Sequence, residues 1–562
     1  MSAVSPAKRG RSPPTVRAHQ VGAVIPQPSR RAFLHTAGAG LAVAIATATT
    51  ARSAPRPPPG RDIPADPALL SALDAAALLQ ARKLHPRELL EACLSRSARF
   101  DGPINSWIRT YPEAAYEQAE QAGRRLAAGD APLLCGLPIA VKDLISVAGL
   151  PVTAGSRVLA GNIAAGDATV WRRLRDQGAV LIGHTQIDEF AFSTVCRQTG
   201  NPWNTAAAVG GSSGGNGAVL AARFAPLAVG TDTGGSLRIP SSRCGVSAIK
   251  PTYGQVSRYG VVPMTPSRDH IGPMARSIAD AALLLSALTG SDPNDPTSAT
   301  ATMPAGGYPL AASGAASPLA GRTIGVDRQS MDQLPAALGT LMSGFLDLIT
   351  GLGGRLRDIR IPEPPSHHFG DTGEVGRYHR QWIDRLGLYE PTSMVVVGGA
   401  LAALAEPIEV YLSFEQERLR FRHEYNRTLL DNGLDAVVLP TVLNERPDRH
   451  NDLSNALDTD APTQWANYCG APVLALPVGR SAATGLPFGA QLAGLPWSEP
   501  ELIAMGLELQ AAEPVWTEIP VLTEGFRELP AFARTAPGTG PDPTGTIVEP
   551  PPFRFVPTTT TG

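Results

Sequence analysis

Gly210-Gly211-Ser212-Ser213-Gly214-Gly215, then a small apolar run over 218–229, then Asp232-Thr233-Gly234-Gly235-Ser236-Leu237-Arg238: this stretch decides the reading of the chain. Two serine-bearing glycine loops flank a segment that reads as one short buried helix and the start of a strand. Glycine tolerates positive φ and lets backbone approach a ligand closely. Successive N–H groups in such a loop form an anion-binding nest. A serine in that nest has oxyanion donors beside it, as acyl transfer requires. Gly/Ser clusters are also the composition of flexible linkers and plain turns. Linkers, however, do not normally sit on both sides of a buried element. A phosphate-binding loop is excluded, because no lysine follows the glycines.

Outward from this stretch, the chain has 562 residues, 43 % hydrophobic and 17 % charged, which is a globular composition. The formal net charge is −2 but unevenly placed. Residues 1–53 carry seven of the 48 Lys/Arg and no acid; without them 41 basic residues face 50 acidic ones, a net of −9. That balance provides no nucleic-acid surface. Ser29-Arg30-Arg31-Ala32-Phe33-Leu34-His35 is a twin-arginine pattern, followed by an apolar run over 36–48 that is short for a membrane span. Residues 1–53 are therefore expected to be an export signal, giving a periplasmic or secreted protein with no stable membrane insertion after signal removal. Residues 54–65 read as a Pro-rich spacer, 66–530 as the catalytic domain and 531–562 as a disordered Pro/Thr/Gly-rich tail.

Five scattered cysteines and ten histidines show no metal-ligand spacing, so no metal and no cofactor is expected. Helical and strand patterns alternate. Asp66 and Pro67 open a helix through Ala77, followed by helices over 86–100 and 113–127, a strand over 137–141, a helix over 169–177 and a strand over 179–183. The segment 250–254 and the run Asp269-His270-Ile271-Gly272-Pro273 read as turns, the latter leading into a helix over 277–288. Residues 291–320 read as a surface loop. Residues 335–435 are mostly helical in pattern, and strands follow over 436–439, 473–477 and 488–492 before a closing helix over 501–511. The alternation implies an α/β fold. Lys142 ends the apolar run Ile139-Ala140-Val141. It is either a charged gatekeeper on an edge strand or a buried lysine whose ammonium is disfavoured by desolvation, which makes it a base near neutral pH.

These motifs in this order resemble the amidase signature family: G-L-P-I-A-V-K-D (136–143), G-G-S-S-G-G (210–215), D-T-G-G-S-L-R-I-P (232–240) and C-G-V-S-A-I-K-P-T-Y-G (244–254). The likeness runs from about residue 66 to 512 and includes N-P-W-N (201–204), D-H-I-G-P-M-A-R (269–276), G-A-P-V-L-A-L-P (470–477) and G-L-P-F-G-A-Q-L-A-G (485–494). The resemblance implies a single large domain with a mixed β-sheet core surrounded by α-helices. It further implies a Ser–cis-Ser–Lys triad of nucleophile Ser236, bridging Ser212 and base Lys142. The 24-residue separation of Ser212 and Ser236 is the family's. It places the oxyanion and substrate-binding backbone donors at Thr233, Gly234, Gly235 and Ser236, and supporting groups at Ser213, Asp232 and Arg238. An unactivated serine is a poor nucleophile; neutral Lys142 takes a proton from Ser212, which takes one from Ser236, and the relay reversed protonates the leaving amine. Asn216, Arg243 and Arg268 depart from the family pattern without touching the triad, and bear on substrate preference.

The expected activity is hydrolysis of a small-molecule carboxylic amide to a carboxylate and ammonia or amine, by a monomer or homodimer. The alternatives are the amidase subunit of a glutamyl/aspartyl-tRNA amidotransferase and a catalytically inactive family member.

Overall fold

Asp66 caps only a single 3₁₀ turn, Pro67–Leu69, by accepting the Ala68 N–H. The computed structural model describes residues 64–312, 317–366, 372–446, 448–450 and 462–532, all within a unit spanning Ala54–Gly562. The expected signal peptide, the spacer up to residue 63 and the tail from residue 533 lie outside the described residues. The helix expected from Pro67 through Ala77 is thus two elements. Ser71 accepts the Asp74 N–H and starts α1 (Ala72–Gln80) afresh. Its hydroxyl supplies a second N-cap that interrupts the apolar periodicity.

α2 (Pro86–Ile104) opens on a capping box between His85 and Glu88. β1 (Trp107–Thr110), α3 (Pro112–Ala128), β2 (Pro138–Lys142), α4 (Thr169–Asp176) and β3 (Val180–Thr185) follow. A small hairpin, β4 (Gly200–Asn201) and β5 (Asn204–Ala208), leads to the first glycine loop. Next come α5 (Gly214–Ala221), β6 (Leu227–Asp232), α6 (Arg238–Cys244), β7 (Ser247–Lys250), β8 (His270–Ala275) and α7 (Ile278–Leu288). The second half holds β9 (Thr323–Asp327), α8 (Arg328–Met331), α9 (Ala336–Gly351), β10 (Arg355–Ile359), α10 (Glu374–His379), α11 (Pro391–Ala402) and α12 (Ile408–Asp431). It closes with β11 (Ala436–Pro440), α13 (Trp465–Cys469), β12 (Val473–Arg480), β13 (Pro487–Ala493) and α14 (Glu499–Ala512).

Eleven strands form one mixed sheet in the order β1-β3-β2-β6-β8-β7-β12-β13-β11-β9-β10. β2 is parallel to both β3 and β6, and β6 is antiparallel to β8. The central strands are buried on both faces, and so read as continuous apolar runs. α5, the buried helix expected between the two serine loops, is enclosed over its whole length. No single helix among the described residues is long and apolar enough to cross a membrane.

Two readings are corrected. The run Asp269–Pro273 is not a turn: β8 pairs with β6 from Leu227↔Ala275 to Asp232↔His270. The Gly272-Pro273 pair reads as punctuation but serves close packing, since a Cβ on Gly272 would collide with the Ile249 carbonyl oxygen. The helical reading of 335–435 misses β10, an edge strand whose Arg355, Arg357 and Asp358 face outward. Charges on an edge strand blunt edge-to-edge pairing and also hide the strand from a hydrophobicity pattern.

The packed chain extends to Phe532. The Thr110 N–H donates to Pro530 and the Phe532 N–H to Thr110, alongside β1. Arg527 bonds Asp101 at 3.2 Å. Truncation after Thr535 is therefore expected to leave activity and the thermal midpoint unchanged, whereas truncation before Arg527 is expected to lower the midpoint. A collapse of activity or solubility on cutting at 535 would show that the tail packs on the core.

Candidate active site

The two serine loops sit where strands end and helices begin. β6 ends at Asp232, the chain turns through Thr233–Ser236, and α6 starts at Arg238; Ser212 and Ser213 immediately precede α5. Both loops meet through backbone, since the Ser213 N–H donates to the Ser236 carbonyl at 3.2 Å. The Gly211–Ser212 peptide bond is cis. The Ser213 hydroxyl donates to the Thr231 carbonyl at 3.2 Å, fastening the first loop to β6.

Lys142 lies at the end of β2, an interior strand, so the gatekeeper reading is overturned. Its side chain is fully buried. Nζ donates to Ser212 Oγ at 2.6 Å and to Thr231 Oγ1 at 2.8 Å. Burial lowers its pKa to about 8, against the opposing pull of Asp188 and Asp232. A lysine so placed loses its proton far more readily than an exposed one, carries a minor neutral fraction near physiological pH, and has a hydroxyl in reach. Ser212 is sealed from solvent, while Ser236 keeps 7 % exposure. Ser236 is thus the less enclosed of the two serines.

Asp232 and Arg238 form a fully buried ion pair. Arg238 Nε bonds Asp232 Oδ2 at 3.0 Å and Nη2 bonds Oδ1 at 2.9 Å. The remaining guanidinium donors reach the Thr463 carbonyl, Gln491 Oε1 and Asn467 Oδ1 at 2.7–2.8 Å. Burial pushes the Asp232 carboxyl up, but the Arg238 charge and hydrogen bonds outweigh it and hold the group well below the usual carboxylate range. Asp232 in turn accepts the backbone N–H of Gly235 at 2.9 Å and of Leu237 at 3.1 Å, bracketing Ser236.

That bond corrects one expectation. The Gly235 N–H is committed to Asp232, so it is no free oxyanion donor. Among the described residues, no hydrogen bond engages the N–H of Thr233, Gly234 or Ser236. Gly235 has φ 135°, and a Cβ there would collide with Thr463 Oγ1. Only glycine fits.

Several groups contributing here were not singled out in the sequence. Thr463 Oγ1 donates to the Gly234 carbonyl at 2.6 Å. Thr233 Oγ1 donates to Asp269 at 2.6 Å. Asn467 Nδ2 bonds both the Asp232 carbonyl and carboxylate, at 2.8 and 2.9 Å. Asp269, Thr231 and Gln491 lie within or beside the quoted motifs, so a signal for them existed. Thr463 and Asn467 had none, being joined to the site by folding alone. The three departures from the family pattern are structural ties. Asn216 bridges Thr185 and Val229, Arg243 bonds Asn444, and Arg268 stacks 4.0 Å from the Tyr468 ring and bonds its hydroxyl. Among the described residues no three His, Cys, Asp or Glu side chains are grouped to hold a metal ion. All five cysteines are buried and free.

The family model described as Amidase matches residues 88–369 and 371–503. The chain belongs to the amidase signature family. Among curated relatives, the A-subunit of glutamyl-tRNA(Gln) amidotransferase from Anaeromyxobacter sp. (strain K) is 33 % identical over 473 residues, 78 % of this chain and 95 % of that protein. Its counterpart from Dinoroseobacter shibae is 31 % identical, over 79 % of this chain and 97 % of its own. Among solved structures, the peptide amidase of Stenotrophomonas maltophilia superposes with a TM-score of 0.69 at 29 % identity, covering 79 % of this chain and 97 % of that one. A 6-aminohexanoate cyclic dimer hydrolase gives a TM-score of 0.69 at 26 % identity, covering 81 % and 99 %. The single α/β domain with its large mixed sheet is the architecture of these amidases.

Proposed function

We propose that this amidase hydrolyses a linear carboxylic amide to a carboxylate and ammonia or amine through an acyl-enzyme on Ser236. The observation that carries the reading is the 2.6 Å contact of buried Lys142 Nζ with Ser212 Oγ, in a loop fastened by backbone to Ser236. Neutral Lys142 accepts a proton from Ser212 as Ser212 accepts one from Ser236, whose oxygen bonds to the substrate carbonyl carbon. The N–H groups of Thr233, Gly234 and Ser236 are the candidate donors to the oxyanion; one such donor is worth about 2.7–4 kcal/mol. The proton held on Lys142 returns through Ser212 to the leaving nitrogen as the C–N bond breaks. Water then attacks the acyl ester by the same relay and frees the carboxylate.

A second reading, the amidase component of a tRNA-dependent amidotransferase, is favoured by the names of the curated relatives at 31–33 % identity. Assay of the purified chain alone on aliphatic, aryl, peptide and carbamate amides, with release of ammonia or amine measured, separates the two. Turnover without partner proteins supports the hydrolase. Activity only with added partners supports the amidotransferase.

We further propose that the enzyme is exported, on the strength of Arg30-Arg31 and the apolar run behind them. Replacing both arginines by lysine is expected to leave the precursor in the cytoplasm, as read by fractionation and immunoblot. Mature enzyme outside the cytoplasm in that variant would refute the twin-arginine route.

A further inference from the structure

Asp188 follows β3 in the loop that runs to residues 193–195 beside Gly211, and the proton transfers proposed from Ser236 to Lys142 do not pass through it. One carboxylate oxygen, Oδ2, accepts the backbone N–H of Ser193. The other, Oδ1, is buried without a hydrogen-bond partner. Among the described residues no ion pair within 4 Å neutralises it. An unpaired carboxylate is expensive to bury unless a charge in reach offsets it. The segment it ties down, 193–195, lies against the backbone that carries Ser212. A Cβ placed on Gly211 would lie 2.6 Å from the Thr194 carbonyl carbon, 2.7 Å from the Val195 nitrogen and 2.9 Å from the Ser193 oxygen. Gly211 is joined directly to Ser212, whose hydroxyl receives the Lys142 ammonium. Asp188 is therefore linked to the relay twice: through 193–195 to Gly211 and Ser212, and through space to Lys142.

We propose that Asp188 is a positioning residue of the amidase reaction, pinning the 193–195 segment against Ser212 and presenting the charge of its carboxylate to Lys142. The proposal rests on the reading of Lys142 as the base. Asp188 is the largest of the charges opposing the loss of the Lys142 proton, ahead of Asp232, Cys196 and Asp269. Around Asp188 itself the ionisable neighbours are Lys142, Glu189 and the buried Cys196, whose thiol burial pushes up to about 12. Glu189 is held apart by its own partners, Ser156 Oγ and the Glu390 N–H at 2.5 and 2.7 Å. Burial raises the Asp188 pKa to about 7 against the opposing Lys142 charge, so the carboxylate carries its charge above that pH, where Lys142, at about 8, loses its proton.

An anion near an ammonium favours the charged lysine; removing it makes the proton easier to lose. In Asp188→Asn, which keeps an acceptor for the Ser193 N–H but not the charge, the acid limb of Ser236 reactivity moves to lower pH. The readout is the pH dependence of fluorophosphonate labelling of Ser236 in the full chain, followed by intact mass, which needs no identified substrate. We expect a downward displacement of about one pH unit, and restoration toward the wild-type limb in Asp188→Glu. Asp188→Ser, which also lacks the charge, is read in the same way should the Asn variant not fold. A limb that superimposes on wild type in a folded charge-free variant overturns the proposal. Lys142→Ala separates the two readings. If it retains the wild-type limb, the base assignment itself fails. If it loses the limb while Asp188→Asn leaves it unmoved, only the role of Asp188 fails.

Discussion

Ser236→Ala is expected to lose amide turnover by roughly 10⁶-fold, the scale seen when the nucleophile of a serine hydrolase is removed. Ser236 is the less enclosed of the two serines, and Ser212 is sealed. Ser212→Ala loses several orders of magnitude with the nucleophile still present, because Lys142 Nζ then has no hydroxyl at 2.6 Å through which to draw the proton. Lys142→Ala is severe near neutral pH and milder in alkali, where hydroxide substitutes in part for the missing base. On the proposed mechanism the active form carries neutral Lys142, so the rate is expected to rise as pH passes through about 8; the Lys142→Ala profile is expected to lack that limb. The single losses do not add, because the groups act as one unit. Lys142→Ala/Ser212→Ala is therefore little worse than the poorer single variant. A serine-reactive phosphonate labels Ser236 in the wild type, as peptide mapping reads directly. Labelling of a different residue, or full activity in Ser236→Ala, would sink the assignment.

Arg238→Met is expected to cost about 3–5 kcal/mol of folding stability in urea titrations, the range for stripping one partner from a buried ion pair. It leaves Asp232 charged and enclosed, and deprives Thr463, Gln491 and Asn467 of the donor they share. The pH dependence carries the diagnosis. In the wild type the depressed Asp232 pKa contributes stability above the ordinary carboxylate range, lost only as pH falls through the folded value. In the variant, burial acts without Arg238 and raises that pKa, so protonation relieves the buried charge. The deficit relative to wild type therefore narrows on acidification. Activity falls as well, because Asp232 orients the Gly235 and Leu237 amides on either side of Ser236. A loss below about 1 kcal/mol with no pH dependence would show that the pair is not the anchor of this loop.

The sheet was largely legible wherever strands are interior. β2, β3, β6, β11, β12 and β13 are buried on both faces, and their apolar runs mark them in the chain. The edges were not. β1 is four residues long, and β10 carries three charges. β8 was hidden differently, its Gly272-Pro273 pair being the signature of a turn until β6 and β7 close on either side of it. Local composition reports the environment of a single segment, and at an edge or a crowded centre that environment is set by distant chain.

The same division runs through the site. The motifs, their order and the 24-residue separation of Ser212 from Ser236 are properties of the sequence alone, and the resemblance they carry to the amidase signature family nominated Lys142, Ser212, Ser236, Asp232 and Arg238. Two open questions waited on tertiary structure. Whether Lys142 is a gatekeeper or a base depends on whether β2 lies at an edge, and β3 and β6 on its two sides make it interior. Whether Gly235 offers its N–H to a ligand depends on where the Asp232 carboxylate points, and Arg238, Asn467 and the turn aim it at that amide. Thr463, Asn467 and Gln491 stand more than 220 residues from Arg238 in the chain and within 2.8 Å of it in the fold. Chemistry was written locally, but desolvation and hydrogen-bond partnership are properties of contacts between remote segments, which only the folded chain brings about.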